Sequence, residues 1–362
     1  MKEIDFDDFS KNLDEKFSKR IPLEGQIELT YRCSYHCPYC YCASYNKPKN
    51  QRQELSFSQW KNILDEILKL GGVYLTLTGG DPLLHKDFLC IYDYAKSRGF
   101  LVSIFTNGYL LDDRYIRHFI DNRPFNIEIT LNGITARTYE NITQVKGSFK
   151  RVMGTIKKIK ESGLPLVLKT NGLKENRDEI FKIKKFIYKL LGKGQYKFDS
   201  FLIAGLDKNK EPTKHRLTPQ EIEELETVDP DMSACRLEQM KNDHGLWRSG
   251  EYLYHCNSWM RGYFINPCGL LQFCHLSTKY STDLTKESFK KGFYEEFPKL
   301  LNDKYTTDSK CRRCEFKRCC HHCPARAFLE VGDEEAPVEY FCELAELKAK
   351  KLKELKQGAG NG

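Results

Sequence analysis

The 362-residue sequence predicts an α/β fold in which six βα units form a parallel sheet, curved into an open or partial barrel, ahead of a smaller cysteine-rich unit. Three observations predict it. Short β-rich runs alternate with helical periods from residue 23 to residue 215. The composition shifts to spaced cysteines, short strands and turns after His255. Hydrophobic residues make up 40% of the chain and aromatics 12%, enough for real cores and too much for a disordered or collagen-like chain.

The expected strands are Gln26–Thr30, Val73–Thr78, Leu101–Phe105, Ile127–Leu131, Leu166–Lys169 and Phe198–Ala204. Between the first two, Trp60, Ile63, Leu64, Ile67 and Leu68 recur on one helical face. Ser56 and Gln59 form a capping box before that helix, and Gly71 stops it. Further helices run from Asp87 to Gly99, from Ser148 to Gly163, and through Ile180, Ile183, Phe186, Ile187 and Leu190 to Gly192. Cys90 is expected inside, as a small hydrophobe on the Asp87–Gly99 helix. Ligands of such a sheet belong at the strand C-terminal ends. The division expected is an N-terminal extension over 1–22, a core over 23–215, a polar linker over 216–253, a cysteine-rich unit over 254–350, and a helical end with a flexible tail over 351–362.

Composition narrows the function. There is no secretory signal and no run of about 18 apolar residues, so a cytoplasmic address without a membrane span is expected. The 15 cysteines are an odd count in a reducing compartment, which reads as metal or cluster ligation rather than disulfides. The formal charge of +8 is spread through lysine-rich helices and gives a nucleic-acid partner no support.

The first motif is Cys33-x3-Cys37-x2-Cys40, directly after the first strand. Three thiolates on one loop can hold three irons of a [4Fe–4S] cluster and leave the fourth iron open to a substrate. The alternative is zinc, its fourth ligand supplied by His36 or Cys42. This spacing resembles the radical S-adenosylmethionine (SAM) enzymes, and the resemblance extends over residues 23–215. Tyr39 fills the aromatic place before the third cysteine. Gly79-Gly80-Asp81-Pro82 resembles the GGEP motif that meets the methionine amino group, with Asp for Glu. Thr106-Asn107-Gly108 ends strand three, and Thr130-Leu131-Asn132-Gly133 resembles the segment ending strand four, where a hydroxyl helps hold SAM. Lys169-Thr170-Asn171 ends strand five, within reach of the carboxylate or ribose. The resemblance implies a partial (β/α)6 TIM-like barrel that reductively cleaves SAM to a 5′-deoxyadenosyl radical and abstracts hydrogen from an unreactive C–H bond.

Downstream lie Cys256, Cys274, Cys311, Cys314, Cys319, Cys323 and Cys342. They resemble the SPASM domain, an extension carrying two auxiliary [4Fe–4S] clusters in peptide- and protein-modifying relatives. By that resemblance Cys311, Cys314, Cys319 and Cys342 close one cluster, and Cys256, Cys274 and Cys323 hold the other. Either Cys319 or Cys320 ligates; Cys319 is preferred because CCHHCPA then aligns with the family's ending. The fourth ligand of the second cluster is open between Cys268, Cys235, a non-cysteine group and substrate. Cys268 falls at the tip of an expected hairpin, FINP-CG-LLQF. The alternative is a pair of zinc ribbons. With three oxidised clusters the formal charge falls: ten thiolates subtract ten charges and three cores return six, leaving about +4.

Cys235 is a candidate hydrogen donor to a substrate radical, as some relatives use a thiol; an inert thiol is the competing reading. His275 stands where sulfatase-maturing relatives carry an acidic residue, which disfavours formylglycine formation. The whole reads as a radical SAM/SPASM enzyme acting on a ribosomally made peptide or a protein side chain, by cross-link, epimerisation or oxidation. Its expected partners are that substrate, a reductant such as flavodoxin or ferredoxin, and a separate leader-binding protein. The rival readings are a SPASM-type dehydrogenase of a small-molecule alcohol and a non-catalytic iron–sulfur electron carrier.

Overall fold

A computed structural model describes residues 20–46, 53–234, 251–256, 260–320 and 323–359. Six parallel strands follow one another across an open sheet: β1 (Glu24–Thr30), β2 (Tyr74–Gly79), β3 (Leu101–Thr106), β4 (Asn126–Thr130), β5 (Leu166–Asn171) and β6 (Tyr196–Asp199). Helices α1 (Phe57–Lys69), α2 (Phe88–Ser97), α3 (Asp113–Asp121), α4 (Ala136–Thr143), α5 (Ser148–Glu161) and α6 (Ile180–Leu191) connect them. Ser56 and Gln59 cap α1 reciprocally, the Ser56 N–H donating to Gln59 Oε1 at 2.9 Å.

Strand alternation sorts the side chains. Ile27, Leu29, Leu75, Leu77, Ile104, Ile127, Ile129 and Leu168 join Trp60, Ile63, Phe88, Ile91 and Ile156 in one buried core under the helices. The alternate positions Gln26, Glu28, Thr30, Thr78, Phe105, Glu128, Thr130 and Lys169 therefore face the concave lumen. Fully burying each core Leu or Ile contributes roughly 1.5–3 kcal/mol, so this apolar layer is what sustains a charged lumen behind it.

Three features differ from the sequence expectation. The apolar run Phe198–Ala204 is not one strand: pairing stops at Asp199, whose carbonyl accepts the Gly172 N–H at 2.7 Å, and Leu202, Ile203 and Ala204 leave the sheet as buried coil. Cys90 is exposed, because α2 buries Phe88, Ile91, Tyr92 and Ala95 and turns Cys90 outward. The cysteine-rich region also does not stand apart. Its β7 (Gly262–Ile265) pairs parallel with β1, and β8 (Leu270–Gln272) and β9 (Thr282–Asp283) extend the same sheet antiparallel. The tight β7–β8 turn has Cys268 at its tip, Gly269 at φ +83°, and Asn266 Oδ1 accepting the N–H groups of Cys268 and Leu270 at 3.0 Å each. The chain continues through α7 (Pro219–Val228), which precedes β7, and through α8 (Pro324–Val331) and α9 (Glu339–Ala359) after it. No described helix is long and apolar enough to cross a membrane.

Candidate active site

The loop leaving β1 carries Cys33, Cys37 and Cys40 around a cavity of about 370 Å³ at the C-terminal ends of the strands. Side-chain amides shape it. Asn46 Oδ1 accepts the Cys33 N–H at 2.9 Å, and Asn46 Nδ2 donates to the carbonyls of Cys33 and Tyr35. The Cys33 sulfur accepts the Tyr35 N–H at 3.4 Å and Asn107 Nδ2 at 3.5 Å. His36 is exposed, and its backbone N–H donates to the Thr143 carbonyl at 3.0 Å.

Burial, then the nearby Asp81 charge, pushes the Cys33 thiol up to about 12, and burial pushes Cys37 well above its ordinary range. Cys40 is held down by the Cys42 thiol, whose sulfur lies 3.5 Å away. Buried thiols of this kind become thiolates when a metal displaces the proton. Among the described residues no three His, Cys, Asp or Glu side chains converge closely enough for a single metal ion. Three thiols spread around a cavity of this size instead suit an iron–sulfur cubane better than the compact tetrahedron zinc requires.

Beside this loop lies the Gly79–Pro82 turn. The Gly80 N–H donates to the Thr30 carbonyl at 2.7 Å and the Asp81 N–H to that of Arg32 at 2.8 Å. A Cβ on Gly80 would fall 2.3 Å from the Arg32 oxygen, and Gly79 holds φ +145°, so glycine is required at both by close backbone approach. Pro82, buried, begins the short Pro82–Leu84 turn. Asp81 is completely buried and faces the protein: Oδ1 accepts the Leu83 N–H at 3.0 Å, and Oδ2 accepts Thr106 Oγ1 at 2.8 Å and the Asn107 N–H at 3.3 Å. Burial lifts its carboxyl to about 6. Asp81 thus braces the ends of β2 and β3, and Asn107 in turn donates to Ser34 Oγ at 3.0 Å.

The ends of β4 and β5 meet the same loop. Asn132 Nδ2 donates to the Tyr39 hydroxyl at 2.6 Å, while its Oδ1 accepts the Asn171 N–H at 2.8 Å. Asn176 donates to the carbonyls of Asn132 and Asn171 at 2.9 Å each. Tyr39 is thereby locked against Ile142, Leu173 and Leu202. Half-buried Thr130, whose carbonyl accepts the Tyr139 hydroxyl at 3.4 Å, and half-buried Lys169 stand on the lumen side. Sequence reasoning missed Asn46, Asn132 and Asn176 as supports. Their signal was asparagine in the loops that follow β1, β4 and β5, a residue whose side chain substitutes for backbone in turns.

A second cavity, of about 580 Å³, lies in the C-terminal region and is lined by Cys256, Cys311, Cys314, Cys320, Cys323 and Cys342. Cys320, not the preferred Cys319, is on its wall. The turn Lys317–Cys319 ends at Cys320, which is extended and points its sulfur toward the Phe341 carbonyl, 3.9 Å away. Burial, then the charges of Cys323 and Cys256, pushes Cys274 up to about 12, which sets those three thiols together. Next to Cys274, His275 is half-buried with its ring 5.3 Å from Tyr41 and 5.7 Å from Phe264. Burial, then Arg326 and Lys169, lowers it to about 4. Cys235, His321 and His322 lie outside the described residues.

Comparison with known proteins adds to this geometry. Residues 27–187 match the Radical SAM superfamily. The AdoMet-dependent heme synthase of Methanosarcina barkeri is 24% identical over 337 residues, 86% of this chain and 94% of that protein. The sporulation killing factor maturation protein SkfB of Bacillus subtilis is 31% identical over 160 residues, 44% of this chain and 38% of SkfB. Streptococcus suis SuiB bound to S-adenosylmethionine superposes with a TM-score of 0.68 at 14% identity, covering 94% of this chain and 84% of SuiB, and SuiB has also been solved with its precursor peptide SuiA. The open parallel sheet, the three-thiol loop at its C-terminal edge and the matched segment coincide in the chain. Residues 27–187 of the chain carry a radical SAM domain.

Proposed function

We propose that this radical SAM enzyme activates a C–H bond in a ribosomally synthesised peptide or a protein side chain, yielding a cross-link, an epimer or an oxidised side chain. The observation that carries the reading is the trio Cys33, Cys37 and Cys40 facing one cavity at the strand C-terminal ends, with glycine-lined backbone beside it. The peptide substrate draws its support from SkfB, named a maturation protein, and from SuiB with its bound precursor peptide.

Cys33, Cys37 and Cys40 would hold a [4Fe–4S] cluster with one iron open to SAM. When bound, that group supplies the electron that splits SAM into methionine and a 5′-deoxyadenosyl radical. The protein's own residues do the remaining work. The Gly79–Pro82 turn offers backbone carbonyls to the methionine ammonium, with Asp81 bracing the turn from behind. Asn107 fixes the Cys33 sulfur, Tyr39 is positioned by Asn132, and Thr130 and Lys169 face the ribose and carboxylate. Buried Tyr35, its hydroxyl 3.3 Å from that of Tyr139, excludes water beneath the loop.

For the auxiliary sites we assign Cys311, Cys314, Cys320 and Cys342 to one cluster and Cys256, Cys274 and Cys323 to the other. The 254–350 region is the SPASM unit, 23–215 the core, and Cys235 a candidate hydrogen donor. A flavodoxin or ferredoxin would deliver electrons, and a separate protein would recognise a leader. A small-molecule substrate is the second reading, favoured by one observation: the alignment with the heme synthase extends over 86% of the chain.

The test is release of 5′-deoxyadenosine by anaerobically reconstituted protein with SAM and dithionite. Cys37→Ala is expected to abolish release while the C-terminal clusters persist. Cleavage that survives Cys37→Ala removes the site assignment.

A further inference from the structure

The β7–β8 hairpin has two faces, and packing explains only one of them. Tyr263, Ile265, Leu271 and Phe273 enter the main core. Alternation sends Phe264, Asn266, Leu270 and Gln272 the other way, and all four line a separate cavity of about 670 Å³. Tyr31 lines both this cavity and the one that holds Cys33, Cys37 and Cys40. The turn after β6 also serves both: Gly205, Asp207 and Asn209 line the cysteine cavity, while Leu206 and Lys208 line the hairpin cavity. The Leu206 N–H donates to the Tyr41 carbonyl at 2.9 Å and ties that turn to the cysteine loop.

Asn266 and Gln272 are only 6% and 3% exposed, and backbone groups fix which way each amide points. Asn266 Oδ1 accepts the N–H groups of Cys268 and Leu270 at 3.0 Å each, which leaves Nδ2 as the outer atom. Gln272 Nε2 donates to the Ser277 carbonyl at 3.0 Å, which leaves Oε1 as the outer atom. Neither outer atom has a hydrogen-bond partner among the described residues, and neither is sealed from the cavity. Lys279, on the same wall, shows the ordinary arrangement: its ammonium donates to Glu334 Oε2 at 2.7 Å. A nearly buried amide half left unpaired calls for an occupant. The two amides supply one donor and one acceptor, as diagonal neighbours on a hairpin where Phe264 lies opposite Gln272. An extended peptide residue offers the matching pair, since its N–H and its C=O point to one edge of the strand. Phe264, Leu276 and Phe328 make the adjoining wall apolar, as a pocket with a few orienting polar groups requires.

We propose that Asn266 and Gln272 bind the main chain of one extended residue of the substrate peptide, Asn266 Nδ2 donating to its carbonyl oxygen and Gln272 Oε1 accepting its N–H. The inference rests on the peptide reading above and names its backbone contact. A donor and an acceptor in fixed places set the direction in which the peptide runs through the cavity. They ask for no particular side chain at that residue.

The probe is acetyl-Ala-Leu-Ala-methylamide, titrated by anaerobic calorimetry into the reconstituted protein with SAM. Companion peptides replace one amide N–H at a time with an ester oxygen. We expect the wild type to bind the parent peptide. One ester position should weaken binding about three- to tenfold, and the others should leave it within about twofold. In Gln272→Met the parent and that ester should bind alike, because no acceptor is left to lose. Asn266→Asp keeps Oδ1 for the Cys268 and Leu270 N–H groups but turns an oxygen toward the peptide carbonyl, so it should weaken the parent about tenfold. The wild-type ester series needs no variant and decides the matter where a variant fails to fold.

Equal losses at every ester position, or no loss at any, overturn the proposal while the peptide reading stands. The same ester penalty in folded Gln272→Met as in the wild type overturns it too, as does undiminished binding by folded Asn266→Asp. A wild type that binds none of these peptides removes the peptide reading together with the proposal.

Discussion

Replacing Glu330 with alanine strands the Arg216 guanidinium inside the protein. Arg216, which follows the 3-10 turn Glu211–His215, donates Nη1 to Glu330 Oε2 at 2.9 Å and Nη2 to Oε1, a two-point pair to α8. Both residues are under a tenth exposed. Arg216 also gives Nε and Nη2 to the Leu202 carbonyl at 3.0 and 2.7 Å and stacks 4.5 Å from the Tyr340 ring. Removing one partner of such a pair costs about 3–5 kcal/mol, because the survivor stays buried and uncompensated. The double variant Arg216→Met/Glu330→Leu removes both charges and leaves only the Leu202 carbonyl unsatisfied, a cost of about 1–3 kcal/mol. Native-state hydrogen exchange at the amides of α8 reads this directly, and Glu330→Ala should speed it by about two to three and a half powers of ten. The double variant should exchange more slowly than Glu330→Ala alone. Exchange in Glu330→Ala within threefold of wild type, or a double variant as costly as both singles added, would refute the reasoning.

Other perturbations follow from the same geometry. Gly80→Ala places a Cβ 2.3 Å from the Arg32 oxygen and 2.6 Å from that of Tyr31, so the cysteine loop must move; iron analysis should show a loss of about four irons per chain, and full iron with a wild-type EPR signal would sink that account. Cys320→Ala should lower iron by about four per chain and Cys319→Ala should not, and the reverse result would restore the ligand set preferred from sequence. Burial alone would raise Glu335, but the N–H and hydroxyl groups of Thr306 and Thr307 more than offset it and hold the carboxyl to about 2. A depressed carboxyl stabilises the fold above its ordinary 4.5 and loses that contribution as pH falls toward 2. Chemical denaturation between those two pH values should therefore show a steep loss in the wild type that Glu335→Gln flattens.

The parts legible in the sequence were those in which local chemistry and tertiary role agree. Ser56 and Gln59 cap the first helix because nothing tertiary competes for them, and five of the strands run where their β-rich segments lie. Misreadings came from residues that serve distant partners. Phe198–Ala204 looks like a strand because it is apolar, but its second half is buried against coil and helix instead of a neighbouring strand. The short helices Asp113–Asp121 and Ala136–Thr143 were not anticipated, since each offers only three buried anchors among charged or polar residues. At the site, the cysteine spacing and the glycine turn were readable as motifs. That Asp81 faces Thr106 rather than the cavity was not, because the direction of a carboxylate depends on donors 25 residues away. Nor could spacing show that Cys320 lines the C-terminal cavity.

The parallel pairing of β1 with β7 has a consequence for the order of synthesis. Glu24–Ile27 leaves the ribosome more than two hundred residues ahead of its partner Gly262–Ile265. Until then β1 has β2 along one edge and the other edge bare, and an uncovered edge is where a nascent chain pairs with the wrong neighbour. Cys33, Cys37 and Cys40 hang directly from that strand. Their loop therefore reaches its final setting only after Gly262–Ile265 has been made.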